Sequence, residues 1–511
     1  MLRIGIRGSL WSMRASLHGL LIGLLLLGAA CGGSAGGTVP ADDGELPTEP
    51  APLFVRTASP LEQDAPYIGD PQAFWARDDL YVMDPEIEPL DRWPDEVLFP
   101  SAHGVRIIVL LPGDYRGRSN GSLSPGTLYI EASGTADAPL LVTYAPARGA
   151  ELRETPHPAA RVGELEARLG GIRVWNQTHQ YFRGLTFRDG VAASLIRNTN
   201  GTVIDRCLWH ETSPQPLRIR FDAHHNVVQR CVFQRFDVDA WGHNDVVAIQ
   251  TSDGACTHNH IVSNVILNYT DAYQHTDRDG EAYGLGAGTR IDNNVMGFTV
   301  ESRVVEASGE LMCGENTIDM KMGGTEQDPV LVTNNLFFGV RAAKTGCAAS
   351  GSGGYALTYH RRGTWIETRG NTFVDVDSGV FLNSFFLNVD PAQGRIDPHL
   401  TFEANTFSGV RSFATAFPSR TGRVMSGLSP ARFAGNRIVD TDRLMDTEPF
   451  MGLGPLAITG NTFYGDVVLA PRTRAELESD GNTFLGTQGV RLVTRRIPWV
   501  DRTLTYAMPG L

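Results

Sequence analysis

Beyond its first thirty residues this chain has no stretch approaching the ~20 consecutive apolar residues that a membrane-spanning helix needs. It has no CxxC spacing, which argues against a structural zinc site. It also lacks a Gly-rich phosphate loop, a dinucleotide fingerprint and a Gly-x-Ser-x-Gly elbow, so the common nucleotide-binding and serine-hydrolase readings fall away. Positive charge is in deficit: 44 basic against 57 acidic residues give a net charge of -13, which disfavours nucleic acid as a partner. A local basic stripe remains open. Long amphipathic helical patterns are scarce, which argues against βαβ units, and the Leu-x-x-Leu-x-Leu signature of leucine-rich solenoids is missing.

What is present begins with an export segment. Arg3, Arg7 and Arg14 precede an apolar run from Leu20 to Leu27, followed by Gly28, Ala29, Ala30 and Cys31. The small residues before Cys31 resemble a bacterial lipoprotein processing site, although Leu27 stands four residues before the cysteine rather than the usual three. The resemblance implies a lipid on Cys31 and a place at the outer membrane or cell surface. Ordinary cleavage beside Ala30, giving a periplasmic or secreted protein, is the alternative. Residues 32–60, rich in Gly, Ser, Pro and acids, read as a flexible tether, and 61–105 as an N-terminal cap. Five cysteines follow Cys31, and export permits disulfides. Cys313 with Cys347 is the expected pair.

The body of the sequence is repetitive. The phrase apolar-x-apolar-x-x-Asn-x-aromatic recurs, and its amide column runs Leu185, Cys207, Cys231, Asn264, Asn294, Asn335, Asn371, Asn405, Asn436, Asn461 and Asn482. Two residues later stand Phe187, Trp209, Phe233, Ile266, Met296, Phe337, Phe373, Phe407, Ile438, Phe463 and Phe484. The shortest intervals, 21 to 24 residues, match one winding of three short strands and three bends. Longer intervals are the same winding with insertions. The pattern predicts an all-β chain: a single-stranded right-handed parallel β-helix of about 11–13 coils over 106–495, with a tail over 496–511. Asparagines stacked at ~4.8 Å would form an amide ladder, and the aromatic column a continuous core.

One strand of each coil aligns as SLIRN, LRIRFD, VVAIQT, TIDMKM, ALTYHRR and VFLNS. Alternation places Ile196, Ile219, Ile249, Met320, Tyr359 and Leu382 inward. It places Arg197, Arg220, Gln250, Lys321, His360 and Asn383 outward, with Arg218, Asp319 and Thr358 two residues earlier. A cationic, amide-bearing stripe on a flat sheet suits an extended acidic glycan, and Arg197, Arg218, Gln250 and Asn383 are its expected contacts.

The succession VRIIVLLPGDYRG, SGTADAPLLVTYAP and HQYFRGLTFRDG resembles the opening coils of pectate-lyase-like and chondroitinase or alginate-lyase-like β-helix proteins, and the likeness covers about residues 106–490. It implies polysaccharide binding or β-elimination. Lys321 in ENTIDMK is similar to the lyase base, and His360 in LTYHRRG stands where those families carry an Arg, with Arg220 as a further helper. The resemblance also implies Ca2+, for which Glu315 and Asp319 are the nearest acids, though the family's acid-x-acid pair and Ser-Lys-Ser setting are absent. A second acidic cluster, Asp271, His275, Asp277, Asp279 and Glu281, is an alternative calcium loop. The competing expectation is a non-catalytic surface lipoprotein that binds a glycan or another envelope component. Either is read as a monomer.

Overall fold

The computed structural model describes residues 59–87, 91–119, 123–152, 166–188, 194–210, 215–235, 247–276, 284–299, 316–341, 354–360, 365–383, 389–390, 394–395, 399–417, 431–447, 457–469, 472–497 and 502–509. All lie in one compact unit, Ala51–Leu511.

Each winding deposits one short strand in each of three parallel sheets of 13, 11 and 13 strands. One winding contains Val203–Asp205 (sheet I), Leu208–His210 (sheet III) and Leu217–Arg220 (sheet II). The next contains Val227–Gln229, Val232–Gln234 and Val247–Ser252, paired in parallel with the first three. This is the expected right-handed parallel β-helix.

The bend from sheet I to sheet III explains the repeat. Its first residue is left-handed in winding after winding, at Gly184, Arg206, Arg230, Ser263, Asn293, Asn334, Gly370, Ala404, Gly435, Gly460 and Gly481. That single reversal turns the chain sharply and aims the next side chain, the ladder residue, into the stack. The ladder is continuous from Asn264 to Asn482. Asn335, for example, donates both its backbone N–H and its Nδ2 to Asn371 Oδ1, each at 2.9 Å, and its Nδ2 also reaches Ile291 O at 2.9 Å. Asn371 repeats this on Asn405, and Asn405 on Asn436. Buried polar groups that a bend would otherwise strand are thereby satisfied.

The aromatic column fills the lumen as read from the sequence. Phe187, Trp209 and Phe233 stack at 4.7 and 4.4 Å between centroids, and Phe373 and Phe407 at 4.4 Å. A second, shorter amide ladder, absent from the sequence reading, lies at the bend entering sheet I. There Asn226 N and Nδ2 both donate to Asn259 Oδ1 at 3.0 Å.

At one end, Trp93 and Tyr115 stack at 5.8 Å and Val97 joins the core. Residues 59–67 run along the outer face of sheet I, from Ser59 Oγ on Asp292 (2.6 Å) through Gln63 on Gln229 to Tyr67 on Pro139 O. At the other end the helix Arg474–Ser479 inserts Leu477 into the core, and Asn482 Nδ2 donates to Leu477 O, closing the ladder. The hairpin Val490–Ile497 with Arg502–Pro509 packs Ile497, Leu504 and Tyr506 on the outer face of sheet III.

Candidate functional site

The outer face of sheet II carries the polar stripe, with one change of register. Gln250 pairs with Arg218 and Gln274, not with Arg220, so it belongs to the column of Asp319 and Thr358. Ser252 takes the place beside Arg220, and buried Thr251 takes the inward place expected for Ile249. The strand starts two residues earlier relative to its neighbour than the sequence alignment assumed. A slip of two residues leaves every side chain on its own face, so alternation in VVAIQT fits either register and only pairing chooses between them.

The acidic insertion also differs from expectation. Its first six residues, Asp271–Thr276, are a regular strand of sheet II. His275 points into the lumen, 1% exposed, where burial lowers its pKa to about 4. Asp271 faces the other way and accepts from Asn316 Nδ2 at 3.2 Å and Gln274 Nε2 at 3.3 Å. Asp277, Asp279, Glu281, Glu315, Cys313, Cys347 and Cys31 lie outside the described residues.

Asp319, Lys321 and His360 do converge. Asp319, on the strand Asn316–Met320, is 4% exposed. Lys321 Nζ lies 3.2 Å from its Oδ2, and His360 Nε2, from the next strand, lies 2.9 Å from its Oδ1. Gln274 Nε2 donates to Oδ2 at 3.2 Å from the opposite side. Burial pushes the Asp319 carboxyl up, but His360 and Lys321 outweigh it and hold it below the ordinary carboxylate range. Thr358 Oγ1 donates to Asn316 Oδ1, fastening the floor beneath.

This carboxylate is ringed by donors and cationic groups, and among the described residues no three metal-ligating side chains converge. The described residues therefore do not fit a calcium cage. Gln274 and Asn316 were missed in the sequence. Reading DAYQHT as an alternating strand would have exposed Gln274, but the length of the surrounding insertion hid it.

From this centre the face changes character in both directions. Toward the N-terminal end come two strands bearing Gln250, Ser252, Gln274 and Thr276, with Asp271 at the start of the nearer one and Gln250 Nε2 donating to Gln274 Oε1 at 2.8 Å. Beyond them lies a basic strip of Arg173, Arg197, Arg218 and Arg220 on three successive strands. The Arg197 guanidinium is sandwiched between Trp175 (4.7 Å) and Phe221 (4.3 Å), and Arg220 covers Phe221 at 4.8 Å while pairing with Asp253. Arg220 stands three strand spacings, ~14 Å, from the strand of Asp319, so it does not meet Lys321 or His360. On the far side, Tyr355 and Phe381 stack at 4.2 Å. Asn383 is in register with His360.

No family model matches the chain, and no curated protein matches it. Among solved structures, a mannuronic-acid-specific polysaccharide family 6 lyase from human gut microbiota is 14% identical, with 80% of this chain and 87% of that chain covered at a TM-score of 0.44. A PL6 alginate lyase in complex with a trisaccharide is 11% identical, covering 88% and 94% at 0.41. The tailspike protein of E. coli bacteriophage HK620 is 14% identical, covering 82% and 81% at 0.41. The fold rests on the register described above rather than on these likenesses.

Proposed function

We propose that this is an exported protein, anchored through a lipid on Cys31, that binds an acidic polysaccharide along sheet II and cleaves it by β-elimination. The observation that carries this reading is the buried Asp319 carboxylate holding Lys321 and His360 side by side on an outward face, between an arginine strip and an aromatic pair. In the elimination, the proton beside a uronate carboxylate leaves to a base, its electron pair becomes a ring double bond, and the C4–O bond to the neighbouring sugar breaks. The expelled oxygen takes up a proton.

Lys321 is engaged as a cation by Asp319, which suits it to meet the uronate carboxylate and acidify the neighbouring proton. His360 is then the better base. With Nε2–H turned toward Asp319, the lone pair of the neutral ring lies on Nδ1, and Asp319 stabilises the imidazolium as the proton arrives. This reassigns the base from Lys321, the expectation carried by the family likeness. Arg197, Arg218 and Arg220 serve binding: a chain laid along the axis would place its acidic groups on the strip while a distant sugar reaches the centre. Gln250 lines the path between, and Asn383, in register with His360, belongs to the strand beyond. Short oligomers that cannot span ~14 Å should be poor substrates.

The test is incubation with a panel of uronate polysaccharides, with and without Ca2+, following the ultraviolet absorbance of unsaturated products. Activity lost in His360→Ala, and in Lys321→Ala with binding retained, supports the assignment. Full activity in both variants would sink it. A second reading, a non-catalytic glycan-binding surface protein, is favoured by the distance between the arginine strip and the Asp319 centre. It predicts polyuronate binding that weakens in Arg197→Gln with no product on any substrate.

A further inference from the structure

We propose that Cys207 and Cys231 are joined by a disulfide when the chain folds in the presence of a disulfide oxidant, making a covalent rung where the amide ladder runs out. This inference is independent of the glycan reading.

The two cysteines occupy ladder positions on adjacent windings. Their flanks are in register on both sides, Asp205 with Gln229 and Leu208 with Val232, so Cys207 lies directly under Cys231. Adjacent parallel strands are ~4.8 Å apart, inside the ~4.4–6.8 Å Cα separation that a disulfide spans. Both side chains also point the same way. Cys231 Sγ lies 3.5 Å from Ile204 O, and Cys207 Sγ lies 3.8 Å from Phe182 O. These are the carbonyls corresponding to those taken by ladder asparagines, as Asn264 Nδ2 takes Val228 O at 2.9 Å. Asn264 Oδ1 accepts from Cys231 N at 2.9 Å, so the thiols continue the ladder without a break. Two thiols in the place of two amides leave the first windings with only weak S–H donors. A sulfur–sulfur bond would restore the link between coils.

Cys256 is not a competitor. It lies at the bend between sheets II and I, its sulfur facing Ile219 O and Ser252 O.

The step balances through exchange with a small disulfide such as oxidised glutathione. One cysteine thiolate attacks the oxidant's disulfide and releases a first thiol. The second thiolate then displaces the other half, forming Sγ–Sγ. Two electrons pass to the oxidant, and the two thiol protons end on the released thiols. Both cysteines are fully buried once folded, and burial pushes the Cys231 thiol well above its ordinary range. Oxidation therefore belongs to folding, before the coils close.

The test is peptide mapping of the full chain, refolded in a glutathione redox buffer and alkylated without reduction. Trypsin releases Cys207 in peptide 207–218 and Cys231 in peptide 231–235, separate from the peptide holding Cys256. The expected result is those two peptides joined, lighter by two hydrogen atoms than their sum, and separating on reduction. Folded protein made without oxidant should resist later oxidation, and its melting midpoint should lie a few degrees lower. Recovery of both peptides in alkylated form from the oxidised refold would overturn the proposal. So would either one linked to a different cysteine.

Discussion

Replacing Asn371 with Ala removes the middle of the ladder while leaving the backbone path intact. Four hydrogen bonds go: those from Asn335 N and Nδ2 to Asn371 Oδ1, and those from Asn371 Nδ2 to Val332 O and Asn405 Oδ1. Asn405 Oδ1 keeps the backbone N–H of residue 371 as a donor. Two buried donors are therefore orphaned, the Asn335 backbone N–H and one hydrogen of its amide, while Val332 O keeps its partner in the sheet. At about 1–3 kcal/mol for each unsatisfied buried group, with some relief by relaxation, the expected cost is about 4 kcal/mol. In a solenoid each winding touches only its neighbours, so the loss should be local. Hydrogen exchange read by mass spectrometry is the suitable assay, because the unfolding of a long repeat body need not be two-state. Amides of 330–338, 366–374 and 400–407 should exchange roughly a thousandfold faster. Those of 203–233, at least four windings away, should not change. Acceleration of less than about tenfold, or spread evenly over the whole chain, would refute the reasoning.

His275 offers a test by pH. Its neutral ring is buried without a hydrogen-bond partner, and its pKa of about 4 in the folded chain compares with 6.5 when unfolded. Its contribution is complete above about pH 6.5 and is lost as pH falls toward about 4, on the order of 3 kcal/mol in all. His275→Met should flatten that part of the stability profile, as urea titrations between those limits would show. An unchanged profile would contradict the buried placement. Ala404 is exposed and left-handed at φ 52°, at a bend position filled by glycine in the windings of Gly370, Gly435, Gly460 and Gly481. Ala404→Gly should stabilise by up to about 1 kcal/mol, measured as slower local exchange near 400–407. In Asp319→Asn, Lys321 and His360 lose the charge that gathers them, and any polysaccharide-cleaving activity should fall at least as far as in His360→Ala. Activity equal to the parent chain would remove Asp319 from the site.

The solenoid was legible in the sequence because its two defining columns, amide and aromatic, are fixed by a bend of constant length. The one-residue left-handed turn always separates the ladder residue from the strand before it, so Asn264 through Asn482 and Phe187 through Phe484 stay in phase whatever is inserted elsewhere in the winding. Sheet II carries no such clamp. It follows the long insertions, and its register is set by pairing alone, so alternation by itself leaves Gln250 and Ile249 two residues out of register.

The candidate centre shows the same division. Lys321, Asp319 and His360 could be nominated from alternation along single strands. Their meeting on one buried carboxylate required strands 316–320 and 355–360 to lie side by side, because His360 reaches Asp319 only across that 4.8 Å step. What the sequence determined by itself was the winding, through local bend chemistry repeated often enough to be counted. Only the tertiary structure could decide which side chains became neighbours across windings, placing His275 inside and Asp271 outside, and Arg220 with Asp253 rather than with Lys321. Insertion lengths say nothing about where a strand re-enters its sheet.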